Sequence, residues 1–355
     1  MPIDMNQPPR PPPSQRPASR RPASPRLVSR RLVVSGLSTA LLAGPTALWP
    51  TSSAAARELT VADVYPLDHP SVQAVSHLST RVAERTDGRH RIVFQPGQSA
   101  HSEGYLIGQV RNGTLDMARV DFASLASLAP TANVLALPYL FKSAAHRHRL
   151  LDSETGASIL AQLEAQGLIG LCFYETGPRS FYGKKPIRHP ADLKGLTIRA
   201  PQSGPWIRMM RTLGIRPLPM PYEHVYAALQ QGTIDLAENN WEAFVGARHN
   251  EVAKYFSLTE HMRTPSVVIF SKRTWDTLSA KEQAGIRAAA RESADHLRET
   301  MGDEQPTAST APAGVEIVTD IDYEAFAAAA LPLYQEAATT PQLQTLLKRI
   351  QAMEE

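Results

Sequence analysis

The sequence predicts an α/β protein of two lobes with a ligand cleft between them, on three observations. Between residue 59 and about residue 270, short β-branched runs alternate with helical patterns of roughly 10 to 15 residues, as in layered α/β folds with largely parallel sheets. One unit occurs twice: a helix stopped at Gly113 leads into Thr114-Leu115-Asp116-Met117-Ala118, and 119 residues later a helix stopped at Gly232 leads into Thr233-Ile234-Asp235-Leu236-Ala237. One such unit is expected in each lobe. Residues 57–355 form a body of 299 residues, long enough for two packed lobes.

The elements follow in chain order. Residues 59–64 read as a first strand, β-branched and ended by Pro66. Val72, Val75, Leu78 and Val82 keep helical spacing over residues 70–85, with the Asp87-Gly88 turn behind them, and residues 91–94 form a second strand. Leu106 and Val110 mark the helix of the first repeated unit, Val225 and Leu229 that of the second, which Pro221 opens and Gly232 stops. Residues 143–151 read as helix, 168–174 as a buried strand and 196–200 as another strand. Ser279 and Glu282 form a capping box on a long amphipathic helix over 279–301. A last strand at 315–318 and a helical tail with Leu343, Leu346, Leu347 and Ile350 complete the body.

The charge balance is misleading as a whole. Lys and Arg number 37 against 34 Asp and Glu, but residues 1–31 hold seven arginines and only Asp4, and residues 32–56 are uncharged. The body therefore carries 30 basic and 33 acidic residues, which argues against a nucleic-acid partner. Ser29-Arg30-Arg31, a weakly apolar run over 32–49 and Ala54-Ala55-Ala56 have the layout of a twin-arginine-like secretory signal. Cleavage after Ala56 and a periplasmic product are expected. The single Cys172 excludes a disulfide framework, sits in an apolar run, and is expected to behave as a small buried hydrophobe. His146 and His148 point to different helix faces, so a solvated helix surface is expected rather than a metal pair. Motifs for dinucleotide binding, phosphate cradling, the hydrolase elbow and zinc peptidases are all absent; neither cofactor nor metal is expected.

In open α/β sheets ligands bind beyond the carboxyl ends of strands. After the two repeated units stand Arg119-Val120-Asp121 and Glu238-Asn239-Asn240-Trp241. Arg179 follows the turn Thr176-Gly177-Pro178, and Arg199 ends its strand. Each arginine alone reads first as the partner of a structural carboxylate. Three near one cleft demand an anion, and a guanidinium fork matches a carboxylate bidentately. Glu103, Asp121 and Glu238 are candidates to bond hydroxyl groups, which describes a pocket for a sugar acid or hydroxy acid.

Lys194-Gly-Leu-Thr-Ile-Arg199-Ala-Pro, Leu213-Gly-Ile-Arg-Pro-Leu-Pro-Met220, Glu223-His-Val-Tyr226-Ala-Ala-Leu-Gln-Gln-Gly232, Asp235-Leu-Ala-Glu-Asn239 and Leu137-Pro-Tyr-Leu-Phe141 resemble the DctP-type substrate-binding proteins of TRAP transporters across the whole body. Gly177-Pro-Arg-Ser-Phe-Tyr182, Ala118-Arg-Val120, Glu238-Asn-Asn-Trp241 and Leu258-Thr-Glu-His261 are similar to the branch that binds hexuronates such as glucuronate or galacturonate. The resemblance implies a two-lobe periplasmic binding protein fold with crossing strands between the lobes and a long helix across both. Lobe I would take residues 57–176 and about 265–303, lobe II residues 177–264 and about 304–355.

By the same resemblance Arg199 pairs with the ligand carboxylate, and Arg179 and Asn239 complete that clamp. Glu103, Asp121, Tyr222 and His261 fall on cleft positions, Arg119 lies in the Ala-Arg-Val segment, Tyr65 stands at the cleft edge, and Asn240 joins Glu103, Arg119 and Asp121 in reading hydroxyls. Two segments depart from the branch. Tyr65-Pro66-Leu67-Asp68-His69-Pro70 stands where it has His-Pro followed by Asp-Tyr-Pro, and Glu242-Ala243-Phe244 where it has Pro-Ser-Tyr. The expected protein is a monomeric receptor that catalyses nothing and delivers an organic acid, foremost a hexuronate, to TRAP permease subunits. A receptor for an aldonate, dicarboxylate or aromatic acid is the first alternative. The second is a periplasmic enzyme on acidic sugars, using Glu103 with Asp121 or Glu238 as an acid/base pair.

Overall fold

The structure is a computed structural model that describes residues 56–95, 101–301 and 306–353; the expected leader, to residue 55, lies outside the described residues. Eleven strands form two sheets among them. The first sheet has the order β2-β1-β3-β10-β4, with β1 Arg57–Ala62, β2 His90–Phe94, β3 Met117–Asp121, β4 Leu168–Tyr174 and β10 Ser266–Ser271. The second has the order β11-β9-β5-β8-β6-β7, with β5 Arg179–Gly183, β6 Thr197–Ala200, β7 Arg216–Pro219, β8 Leu236–Asn239, β9 Tyr255–Met262 and β11 Glu316–Val318.

Each sheet contains one strand that runs against its neighbours. β10 is antiparallel to β3 and β4, and β5 to β8 and β9, while every other pairing is parallel. The sheets are therefore less uniformly parallel than the alternation of strand and helix predicts. The reason lies in the path of the chain: β4 crosses to the second sheet as β5, and β9 crosses back as β10, so each crossing strand enters its new sheet from the opposite end.

The repeated unit has a physical explanation. α2 (Glu103–Asn112) and α7 (Val225–Gln231) both end on a glycine in the left-handed region, Gly113 at φ 76° and Gly232 at φ 73°. The strands that follow begin later than the pattern suggests, at Met117 and Leu236. The residues in between carry a shared device: the carboxylate of Asp116 accepts from Thr60 N–H at 2.8 Å, and that of Asp235 from Thr197 N–H at 2.8 Å. In each lobe one aspartate thus ties the start of the repeated strand to a neighbouring strand.

The remaining helices are α1 Pro70–Arg85, α3 Thr131–Leu135, α4 Ala144–Leu151, α5 Glu154–Ala161, α6 Gly204–Thr212, α8 Trp241–Gly246, α9 Lys272–Trp275, α10 Ala280–Met301, α11 Tyr323–Ala337 and α12 Pro341–Ala352. Ser279 and Glu282 close the expected capping box on α10, with the serine N–H bonded to the carboxylate at 2.8 Å. Its 22 residues, about 33 Å of helix, lie against α1 and β4. Gly285 permits the close approach to α1, because a Cβ there would stand 2.8 Å from the Arg85 carbonyl oxygen. α12 packs on α3.

Two residues behave differently from a simple helix-surface reading. His146 is buried, and its Nε2 bonds the Ile350 carbonyl at 2.8 Å, holding α4 to the end of α12; His148, partly exposed, lies 3.1 Å from Glu175. Glu175 sits where β4 crosses to β5, buried between Arg147 of α4 at 2.6 Å and Arg298 of α10 at 2.6 Å. Cys172 is buried within β4 as expected, and burial pushes its thiol far above the usual range.

Candidate ligand-binding site

A cleft opens between the two sheets, where β3 and β6 end and β5 begins. It is lined by Tyr65, Glu103, Asp121, Arg179, Arg199 and Tyr222 of the expected residues, together with Val64, His101, Ser102, Gly104, Ser124, Pro201, Gln202, Met220 and Pro221. Arg119, Asn239, Asn240 and His261 do not line it; they stand behind it.

Arg199, at the end of β6, is buried to 7% exposure, donates from Nε to the Met220 carbonyl at 3.2 Å and lies over the Tyr222 ring at 5.7 Å. Among the described residues four arginines are buried, and the other three each face a carboxylate: Arg119 Asp63, Arg147 Glu175 and Arg179 Glu238. Arg199 has no such partner. A buried guanidinium without a counter-charge is costly unless an anion arrives to meet it.

Arg179 opens β5. Its Nε and Nη2 donate to the Glu238 carboxylate at 2.7 and 2.8 Å, and Nη1 donates to Asn239 Oδ1 at 2.6 Å. The guanidinium lies 4.6 Å above the Trp206 ring, a cation–π contact worth about 1 kcal/mol. Burial opposes ionisation of Glu238, but Arg179 outweighs it and holds the carboxyl at about 2. Asn239 Oδ1 also accepts from the Tyr65 hydroxyl at 3.3 Å and from Asn240 N–H at 2.9 Å. Its carbonyl is therefore filled by protein donors, and it orients Arg179 and Tyr65 from below.

Arg119 of β3 is fully buried. Its Nε donates to Asp63 at 2.7 Å, its Nη2 makes a second, short bond to the same carboxylate, and Nη1 reaches Ser266 Oγ at 3.3 Å. Glu103 and Asp121 each stand 3.7 Å from Nη1. Asp121 also stands 3.8 Å from Arg179, so this one carboxylate on β3 faces a guanidinium of each sheet. Glu103, the first residue of α2, accepts from Asp121 N–H at 2.9 Å and from the Ser124 hydroxyl. Burial first, and Asp121 second, push its carboxyl up to about 7, while Arg119 and the two hydrogen bonds restrain the shift.

The aromatic residues make the walls. Tyr65 stacks on His69 at 4.1 Å, meets Tyr222 edge-on at 5.0 Å, and carries the Arg119 guanidinium over its ring at 4.5 Å. Tyr222 donates to the Ala243 carbonyl at 2.9 Å. His261 is buried against Phe181 at 4.1 Å, bonds Thr259 through Nδ1, and keeps Nε2 3.7 Å from Glu238; burial lowers its pKa. Asn240 caps α8, its Oδ1 accepting from Ala243 N–H at 2.9 Å. Asp63, the partner of Arg119, was not among the expected residues. It stands just past the end of β1, within the span that the sequence assigns to the first strand, whereas Asp121 ends β3 and Glu238 lies within β8.

Residues 61–340 match the family described as bacterial extracellular solute-binding protein, family 7. The 2,3-diketo-L-gulonate-binding periplasmic protein of Escherichia coli K12 is 34% identical over 292 residues, 81% of this chain and 88% of that protein. A TRAP periplasmic solute-binding protein from Xanthobacter autotrophicus Py2, solved with bound β-D-galacturonate, is 40% identical with a TM-score of 0.79 over 83% of this chain and 99% of that one. Another, from Chromohalobacter salexigens DSM 3043 with bound D-glucuronate, is 32% identical with a TM-score of 0.77 over 83% and 99%. With two sheets, crossing strands and a polar cleft between them, this chain belongs to the DctP family of bacterial extracellular solute-binding proteins, the receptors of TRAP transporters.

Proposed function

We propose that this receptor captures a hexuronate and that its carboxylate pairs with Arg199. The observation that carries the reading is that Arg199, alone of the four buried arginines among the described residues, has no carboxylate partner, while Arg179 beside it in the cleft is matched by Glu238. Arg179, fixed by Glu238 and Asn239, is the second donor, and Glu103, Asp121 and Tyr65 are the groups within reach of hydroxyls. The galacturonate and glucuronate bound by the two solved relatives support a sugar acid as the ligand.

In this reading the protein transforms nothing and hands its ligand to TRAP permease subunits from the periplasm, as a monomer, after removal of residues 1–56. The strand membership of the two sheets supports lobe I as 57–176 with about 265–303 and lobe II as 177–264 with about 304–355, α12 leaning back onto α3. Glu238, held ionised by Arg179, is unsuited to act as a general acid, but Glu103, raised to about 7, is not, so the preference for a receptor over a glycosidase is supported by the uronate-binding relatives and not by the lack of a proton donor.

A thermal-shift screen of the purified protein against hexuronates, aldonates, four-carbon dicarboxylates, aromatic acids and neutral sugars tests the reading. Ligand at a hundred times its Kd adds about 2.7 kcal/mol to stability, so galacturonate or glucuronate should raise Tm by several degrees. Neutral sugars acting as strongly as the acids would defeat the clamp, and product formation from uronates or oligouronides would defeat the receptor.

A further inference from the structure

The charges around the cleft do not balance once a ligand is counted. Among the described residues three guanidinia, Arg119, Arg179 and Arg199, face four carboxyls, Asp63, Glu103, Asp121 and Glu238, and no lysine lines the cleft. Asp63 is committed to Arg119 and Glu238 to Arg179, while Asp121 lies between those two arginines. With Arg199 given to the ligand carboxylate, Glu103 has only a 3.7 Å share of Arg119, a cation that Asp63 already holds through two bonds. Its hydrogen bonds come from neutral donors, Asp121 N–H and the Ser124 hydroxyl.

Resting on the receptor reading, we propose that the cleft accepts its acid as a monoanion and that Glu103 takes up a proton as the ligand enters, meeting it as a neutral hydrogen-bond donor. Protonated Glu103 keeps Oε1 as acceptor for Asp121 N–H and gains a donor at Oε2; the Ser124 hydroxyl, which donates to Oε2 in the ionised form, turns away so that this proton serves a ligand hydroxyl or ring oxygen. A second carboxylate on the ligand would meet Glu103 and Asp121 with no cation to spare, so dicarboxylic sugar acids are disfavoured. The raised carboxyl of Glu103, at about 7, is in keeping with this surplus: it is about half protonated at neutral pH, and the charge of the ligand drives the rest. The titratable and charged groups that face it are Tyr65, His101 at the rim, Arg119 and Asp121 on β3, and Arg179, Arg199 and Tyr222 across the cleft, with Asp63 behind Arg119 and Glu238 behind Arg179.

Isothermal titration of the purified protein with galacturonate, in buffers of different ionisation heat, reads the proton directly. At pH 8 wild type should take up close to one proton per ligand, and affinity should fall by up to about tenfold per pH unit between 7.5 and 9. In Glu103→Gln the uptake should vanish and affinity should be flat with pH, exceeding wild type at pH 9. Galactarate, the dicarboxylic counterpart, should bind at least about a hundredfold more weakly than galacturonate. Absence of buffer-dependent heat in wild type, uptake that persists in Glu103→Gln, or equal binding of galactarate each overturns the proposal. A ligand-free arm separates it from the functional reading. Because the folded pKa of Glu103 is raised, wild type should lose stability relative to Glu103→Gln as pH rises from 4.5 to 7, and a constant difference would refute the charge surplus. If that arm behaves as expected while no organic acid binds, the receptor reading falls and the charge surplus stands.

Discussion

Buried arginines divide by what they face. Arg119 and Asp63 form a fully enclosed pair, so Asp63→Asn should cost about 3 kcal/mol or more of folding stability by leaving the guanidinium uncompensated, measured as a lowered urea midpoint. Arg199 has no such role in holding the fold. Arg199→Lys should leave the unfolding midpoint close to wild type and weaken uronate binding by about 2 kcal/mol or more, roughly thirtyfold, because a point charge cannot replace the fork. Unchanged affinity in that variant would move the clamp elsewhere. That Arg179 and Arg199 would stand at one cleft was legible from their places beside apolar strands, whereas Arg119, in the middle of β3, lies behind it. Which arginine is free was not legible, because the answer depends on partners such as Asp63 and Glu238 that lie 56 and 59 residues away.

At the scale of elements, short helices and strand ends set the side chains. α8 has only six residues, and Asn240 caps it. Asn240→Ala should therefore cost about 1 kcal/mol of stability, and a change in uronate affinity with no change in stability would instead place this residue on the ligand. The expectation of a hydroxyl reader at Asn240 came from its place after the second repeated strand, whereas the structure makes it a cap: Asn, then a helix whose third N–H it satisfies. The capping box of α10, the first strand and α1 were recovered from local pattern because their signals are local. α11 was not, since its alanine run hides helical periodicity and Pro332 interrupts it.

For the whole molecule, the buried titratable groups set the pH profile. His69 and His249 are held neutral, burial lowering both to about 3 with help from nearby arginines, so their contribution is complete above pH 6.5 and lost as pH falls toward 3. Glu238, lowered to about 2, adds a second loss between pH 4.5 and 2. Glu103 acts in the opposite sense, its carboxyl being raised. Urea unfolding across pH 3 to 8 should show a maximum close to pH 6.5, and a flat profile between 6.5 and 4 would count against these assignments.

The path of the chain through the two sheets bears on how the protein comes into being. β10 lies between β3 and β4, yet it follows every strand of the second sheet except β11. Its first residue pairs with Asp121, 145 positions earlier. Until residue 271 has joined, β3 and β4 expose unsatisfied edges, and β4 is apolar on both faces. Such long-range pairing slows folding and exposes incomplete chains to aggregation. A chain interrupted before that strand has neither a finished first sheet nor a cleft, so a truncated product cannot compete with the whole receptor for its ligand.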